Sequence, residues 1–404
     1  MTGRSHPGAR SLAIFAVFAI VVAACSPGAT GSGPVASSSA SGGTGTSTLV
    51  HLFGIASLTG PSRSSALAVQ QAAELAVKQI NDAGGVKDAN GNSYTFDINR
   101  NDMDDSKSDA IALGRQAGSD TKYLAIIGPN TSLGFVPLVP VVGDLHILMF
   151  GAGTLAHVDT WNPWAFRINA TVETGLPVFI KQLVTKLSVK HMAILFDQTQ
   201  DFQKGAAEQV KALGAELGYS TDAYQAFNAK DQDFSAQLTA ITAANPDGIF
   251  IAAQPGDAAK IAGQMADKNI TTPVLTSSSD FLNPEVFDGS NGKTKGWYSY
   301  TSVNTSNPEP QVKTIMDAYA AMFPGTDFND QSAYGYAAVY AIAEAIKNAG
   351  SADRDAVRQA MDKLSYTTPL GTSITYQNPP DGENKTAPVV SVQITGRTTF
   401  DTVK

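Results

Sequence analysis

The chain has a single cysteine, Cys25, in 404 residues. It can close no internal disulfide and offers no thiolate metal cluster, which leaves packing as the source of its stability. Charge is scarce too: Asp, Glu, Lys and Arg make up 16% of the residues, with a formal net charge of -8. An acidic chain of this kind is a poor partner for nucleic acid. Long apolar runs are missing after residue 24, so nothing in the later sequence reaches the ~20 residues that span a bilayer core. Between Ser26 and Thr48 there is no charge, and one valine stands among Ser, Gly, Thr, Ala and Pro. Such a stretch cannot bury a core and reads as a flexible tether spanning roughly 25 Å on average.

What is present begins at the N-terminus. Met1–Arg10 carries Arg4 and Arg10 and no acid, Ser11–Ala24 is almost wholly apolar, and two alanines lead into Cys25. This is the layout of a secretory signal peptide covering residues 1–24. Val22-Ala23-Ala24-Cys25 also resembles the bacterial lipoprotein box, in which the cysteine sulfur takes a diacylglycerol and the cysteine becomes the first residue. The resemblance implies an extracytoplasmic protein lipid-anchored through Cys25 to the outer face of the cell membrane. Two acyl chains hold a protein on a bilayer where one does not. Residues 25–48 then tether a folded body that starts at Leu49.

From there short apolar runs alternate with amphipathic helices. The pattern predicts strands at Leu49–Ile55, Tyr94–Ile98, Leu124–Ile127 and Ile147–Phe150, with helices at Ala66–Asn81, Lys107–Ser119 and from Ser132 onward. In the first helix Val69, Ala73, Ala76 and Ile80 share a face, while Gln70, Glu74 and Lys78 form the wet stripe, Glu74 preceding Lys78 by the spacing an ion pair prefers. Gly84 and Gly85 end it. After a Trp- and Pro-rich break at His157–Phe166 the alternation resumes. Helices are expected at Thr171–Leu187, Phe202–Leu217, Phe234–Ala244 and Asp257–Lys268, and strands at Met192–Phe196, Thr221–Phe227, Ile249–Ala253 and Val274–Thr276. The tail reads as three helices, Val312–Met322, Ser332–Ala349 and Asp355–Leu364, before strand-like pieces at Thr372–Tyr376 and Val389–Thr395. Alternation of this kind builds parallel sheets flanked by helices, and the length suits two such lobes. The expected class is α/β, with two Rossmann-like lobes.

Several motifs carry candidate chemistry. Gly151-Ala152-Gly153-Thr154-Leu155-Ala156 matches a dinucleotide fingerprint with Glu173 about 20 residues on, but the segment after it, through Pro163, makes a poor helix for a pyrophosphate. Asn130-Thr131-Ser132-Leu133-Gly134 approaches the nucleophile elbow of serine hydrolases, yet its first glycine is missing and neither His146 nor His157 has a triad signature. Asp102, Asp104, Asp105 and Asp109 lack the glycine and glutamate of a calcium loop and read as caps of the next helix. No metal and no cofactor is expected. Ser132 and Thr154 fit better as ligand contacts. Each lies just past the C-terminal end of a predicted strand, where open α/β sheets bind ligands, and a helix start at Ser132 favours a carboxylate.

The order of these pieces resembles the leucine and branched-chain amino-acid binding proteins of bacterial ABC importers, of the type I periplasmic-binding fold. The resemblance rests on Ala56–Pro61, Ala76–Val86, Asn101–Asp105, Gly128–Phe150, Asp231–Ser235 and Asn283–Glu285, and it spans nearly the whole mature chain. It implies that Ser132, Thr154 and the backbone of Ala152 or Gly153 hold the carboxylate of a small amino acid. It also implies an acid on the other lobe for the ammonium; Asp280 is the nearest, though strict register points to Ser278 or Ser279. Phe202 stands where the family has a tyrosine over the ligand, Ser65 and Gln254 replace two further tyrosines, and the family's usual disulfide is absent. These departures leave branched-chain amino acids, short amides, urea-like solutes and aromatic acids open as ligands. The implied lobes are 49–166 with 301–365, and 167–300 with 366–404, joined by three crossings that form a hinge. The implied partner is an ABC permease in the membrane, the chain itself being a monomer and not an enzyme. Two other classes fit the same residues: a secreted serine hydrolase using Ser132, and a ligand-sensing domain for a membrane receptor.

Overall fold

The computed structural model describes residues 45–151, 161–376, 382–384 and 386–404. Cys25, Ala152, Gly153 and Thr154 lie outside the described residues. Among the described residues no helix is long and apolar enough to cross a membrane.

The first lobe is built on β1 (Ser47–Ala56), β2 (Val86–Lys87), β3 (Ser93–Asp102), β4 (Tyr123–Ile127), β5 (Leu148–Gly151) and β6 (Ala165–Arg167), in the order β2-β3-β1-β4-β5-β6. All pairs are parallel except β2 with β3. The central strands are buried on both faces, which is why their sequences read as near-continuous apolar runs rather than alternating ones. Helices α1 (Arg63–Asp82), α2 (Lys107–Ser119) and α3 (Ser132–Asp144) make the crossovers.

The second lobe repeats the plan with β7 (His191–Asp197), β8 (Ser220–Phe227), β9 (Gly248–Ala252), β10 (Val274–Thr276) and β11 (Tyr298–Thr301), and with α4 (Leu176–Leu187), α5 (Asp201–Leu217), α6 (Ser235–Ala243), α7 (Pro255–Asp267) and α8 (Pro284–Gly289). Its strand order is β8-β7-β9-β10-β11, extended by the late strands β14 (Val390–Ile394) and β15 (Phe400–Thr402) as an antiparallel edge. In each lobe the order reverses beside the first strand, between β1 and β4 and between β7 and β9. Those switch points are where α/β sheets form ligand crevices at the carboxyl ends of their strands.

Between β11 and β14 the chain returns to the first lobe as α9 (Pro310–Met322), α10 (Asp330–Ala349), α11 (Arg354–Met361) and a hairpin of β12 (Ser365–Thr367) and β13 (Ser373–Thr375). Leu370, Ile374 and Tyr376 belong to the first lobe's hydrophobic core. The sequence pattern puts residues 366–404 in the second lobe; the apolar side of the hairpin carries the third crossing past Tyr376 instead.

The first and third crossings lie side by side. Arg167 N donates to Gly382 O at 2.8 Å, the Tyr376 hydroxyl to Arg167 O at 2.7 Å, and Asn384 Nδ2 to Ile168 O at 2.9 Å. The second crossing is clamped by Asp330 at the start of α10, whose Oδ1 accepts from Ser302 N at 2.7 Å and from the Thr301 hydroxyl at 3.0 Å.

Two readings of α1 need correction. Gln70 is fully buried rather than wet, because it faces the sheet, where its Nε2 donates to Ile127 O at 3.0 Å. Glu74 is paired with Arg100 and Lys78 with Asp82 at 2.6 Å, so the expected Glu74–Lys78 pair does not form. The acidic turn is also reassigned. Ser106 caps α2 by accepting from Asp109 N, whereas Asp102 accepts from Leu58 N at 2.9 Å and the Thr59 hydroxyl at 3.0 Å, tying the β1–α1 turn to β3.

The contact of α1 with α10 depends on one small residue. A Cβ on Gly335 would sit 1.9 Å from the carbonyl oxygen of Val69. Gly335→Ala is therefore expected to force the two helices apart and to cost about 1–3 kcal/mol of overpacking strain. Urea unfolding monitored by circular dichroism measures this, and an unchanged midpoint would show that the helices have room to spare.

Candidate functional site

The cleft between the lobes holds a cavity of about 620 Å³, counted to its open mouth. The first lobe contributes Asn130, Thr131 and Ser132 from the β4–α3 turn, and Gln331 and Tyr334 from α10. The second contributes Gln200 and Phe202 at the start of α5, Gln254 before α7, and Ser278, Ser279 and Asp280 after β10. Four of the predicted site residues, Ser132, Phe202, Gln254 and Asp280, are thus brought together on one cavity although they span about 150 positions of sequence. Ser278 and Ser279, the alternatives in register, line it as well. Ser65 sits behind the wall, buried, and reaches the site through Asp280.

Three helices aim their N-termini at this cavity. Their N-cap residues are Thr131 for α3, Gln200 for α5 and Gln254 for α7, and none of these side chains caps its own helix. The first N–H groups of each helix have no intrahelical partner and carry the positive end of the dipole, so together they favour an anionic group. The β-strand crests position them. Gln203, fully buried on α5, donates to Ala253 O at 3.3 Å and accepts from the Ser277 hydroxyl at 2.8 Å, which locks α5 to the ends of β9 and β10.

Asp280 supplies the opposite charge. Its Oδ1 accepts from the Ser65 hydroxyl at 2.6 Å, across the cleft, and its Oδ2 from the Ser278 hydroxyl at 3.0 Å. Burial pushes its carboxyl above the ordinary aspartate range; the Ser65 and Ser278 hydroxyls pull it back, the charge of Asp330 pushes it up and the Gln331 amide again lowers it. No Lys, Arg or His stands among the described residues lining the cavity. An ammonium is the group that an ionised Asp280 lacks. Burial, with Asp330 and Asp280 nearby, also raises the phenol of Tyr300, which stays protonated and donates to Ser277 O at 2.9 Å.

Of the two histidines weighed as a base for Ser132, His157 lies outside the described residues, and no histidine is among the described residues lining the cavity. His146 stacks on Trp164, with ring centroids 4.9 Å apart, just beyond the C-terminal end of α3. No group of three or more His, Cys, Asp or Glu side chains able to hold a metal occurs among the described residues.

Among the residues named above, sequence reasoning missed Asn130, Thr131, Gln200, Gln331 and Tyr334. The first two could have been found, since they share the strand-to-helix turn with Ser132. Gln331 and Tyr334 carry no local signal, because they reach the cleft only through the return of the chain to the first lobe.

Comparison with known proteins agrees with this architecture. A Leu/Ile/Val-binding protein homologue of Brucella suis biovar 1 is 26% identical over 321 residues, covering 78% of this chain and 82% of its own. The solved structure of LivJ, the branched-chain amino acid transporter substrate-binding protein of Streptococcus pneumoniae in complex with isoleucine, superposes with a TM-score of 0.78 at 19% identity, covering 88% of this chain and 99% of that one. The leucine-binding protein LivK of Thermotoga maritima superposes with a TM-score of 0.76 at 22% identity, covering 88% and 98%. These similarities at low identity establish the fold. The family model for the periplasmic binding proteins matches residues 54–398, and the chain belongs to that family.

Proposed function

We propose that the protein is the extracytoplasmic solute-binding lipoprotein of an ABC importer, which captures a small amino acid of the branched-chain type or a relative of it and delivers it to the membrane permease. The observation that carries this reading is the meeting, on one inter-lobe cavity, of uncapped helix N-termini with a partly buried acid that has no cation beside it among the described residues. A zwitterion answers both. Its carboxylate would lie against Thr131 and Ser132 at the start of α3, and its ammonium against Asp280. Thr154 and the backbone of Ala152 and Gly153 would complete the carboxylate contacts, and Phe202 would pack over the solute. The lobes would close about the three crossings, and the closed face is what the permease would recognise. Anchoring through a diacylglycerol on Cys25, with residues 25–48 as tether, would keep the binding protein near that permease as a monomer. The relatives are binding proteins, which favours capture without turnover.

Micromolar affinity needs about -8 kcal/mol. Three or four hydrogen bonds to charged groups, at roughly 1.5–3 kcal/mol each, supply it. Ser132→Ala is therefore expected to weaken amino-acid binding on the order of tenfold or more in calorimetric titration. Ester hydrolysis by the wild type, abolished in that variant, would instead favour the hydrolase.

Asp280 makes a second prediction with a definite sign. A folded-state carboxyl raised above its unfolded value contributes stability that is present at low pH and lost as pH rises through the folded value. At neutral pH its ionisation therefore costs the fold. Asp280→Asn is expected to raise the melting temperature of the ligand-free protein while weakening amino-acid binding by at least about tenfold. In the wild type a bound ammonium favours the ionised form, so affinity should fall on acidification from a higher pH than an ordinary aspartate would give. Titration calorimetry between pH 4 and 8 tests this, and affinity flat with pH would remove Asp280 from the ammonium site.

A further inference from the structure

A second acid stands behind the wall of the cavity. Asp330, 4% exposed at the start of α10, accepts from Ser302 N at 2.7 Å, from the hydroxyls of Thr301 and Ser302, and from the phenol of the lining residue Tyr334. It belongs to the first lobe, and Asp280 belongs to the second. The two come together because the first turn of α10 rests on the Ser278–Asp280 turn: the Gln331 amide reaches the Asp280 carboxyl, and the Tyr334 phenol reaches Ser279. The charge of Asp330 accordingly works against ionisation of Asp280.

The described groups around the pair leave it without a counter-charge. α1 offers the Ser65 hydroxyl, and β11 and α10 offer the phenols of Tyr300 and Tyr334, both pushed up by burial and neutral. Lys260 of α7 is held by Asp257 at 3.1 Å, while Arg63 and Arg397 line a separate groove with Glu285, Asp288 and Asp327. Like charges sheltered from water repel more strongly than the same charges on a wet surface. Parting the lobes separates the two acids, and closing them over an empty cleft brings the repulsion back. Resting on the amino-acid reading above, we propose that Asp330 is an electrostatic gate, set against Asp280 from the opposite lobe so that the empty cleft stays open until a cationic group enters. An ammonium at Asp280 is attracted by both charges and turns the repulsion into a gain on closure. A solute that lacks a cation, such as a simple carboxylic acid, leaves the gate unanswered.

The test is made on the empty protein, by small-angle X-ray scattering of the full chain freed of co-purifying solute, with two-state fits giving the ratio of closed to open forms. Asp330→Asn keeps the shape of the side chain and an oxygen for Ser302 N but drops the charge. At neutral pH it is expected to raise that ratio on the order of three- to tenfold. In an Asp280→Asn background the same substitution should change nothing, since the charge it answers is gone. A merely structural role for Asp330 predicts the opposite sign, because a loosened second crossing lets the lobes part. Should Asp330→Asn not fold, as circular dichroism would show, Asp280→Asn alone must raise the closed fraction of the empty protein. An unchanged or lowered ratio in the variant tested overturns the gate, and the amino-acid reading stands if the wild type still binds and compacts with one of the twenty amino acids. Failure of all twenty to bind overturns both.

Discussion

A carboxylate held mainly by hydroxyls in the seam between two lobes organises this protein. Asp280 receives the Ser278 hydroxyl from its own lobe and the Ser65 hydroxyl from the other, and no cation stands among the described lining of its cavity. Desolvating a charge without a counter-charge is costly, and hydroxyl donors offset part of that cost. The remainder is available to a ligand. Under the proposed function an ammonium placed there would recover an interaction that the protein withholds from itself, so that one residue would both destabilise the fold and add affinity.

The scaffold keeps that arrangement in place. Both lobes use the same strand order around a switch point, so each presents its helix N-termini on the same crest, and the two crests face each other. Under the proposed function the crossings would have to be stiff in their pairing yet free to bend as a set. Arg167, fully buried with its guanidinium 4.6 Å from the Trp161 ring and 5.5 Å from that of Phe135, anchors the end of β6 where the first crossing leaves it. Its backbone is bonded to Gly382 and Tyr376 of the third. Asp330 does the corresponding work for the second crossing and sits one residue before Gln331 of the binding wall, so hinge and site share an element.

Much of this was legible in the residues, and the failures have physical causes. Buried parallel strands such as Leu124–Ile127 announce themselves as short apolar runs, and Ser132 announces itself by following one. The wet stripe of α1 was misread because a one-sided helical pattern reports polarity, and Gln70 is a polar side chain whose amide is spent on the carbonyl of Ile127 in the core. The lobe that takes the hairpin of β12 and β13 has no local signal, because few apolar residues, Tyr366, Leu370, Ile374 and Tyr376, mark its inner side, and which core they enter is decided by the path of the chain. Gln331 and Tyr334 were invisible for the same reason: their meeting with Asp280 is a product of tertiary return. The part of the lining at Asn130–Ser132 is local, whereas Gln331 and Tyr334 join it from a distant segment.

The ion pairs across the cleft are weak contacts, and under the proposed function that weakness bears on mechanism. Lys107 of the first lobe meets Asp201 of the second at 3.0 Å, and Arg397 of the second meets Asp327 of the first at 2.7 Å. The side chains are 52% and 41% exposed in one pair and 47% and 42% in the other. Pairs so wet are worth about 0–1 kcal/mol each. The Ser65 bond to Asp280 adds a hydrogen bond, but burial of the carboxylate works against it. Moving a two-state equilibrium from mostly open to mostly closed takes about 5.5 kcal/mol. Latches of this size cannot provide it, whereas a solute bound with about -8 kcal/mol can, provided its contacts come from both lobes. The contents of the cleft, rather than its rim, therefore decide closure under the proposed function, and a partner that recognises the closed form reads occupancy.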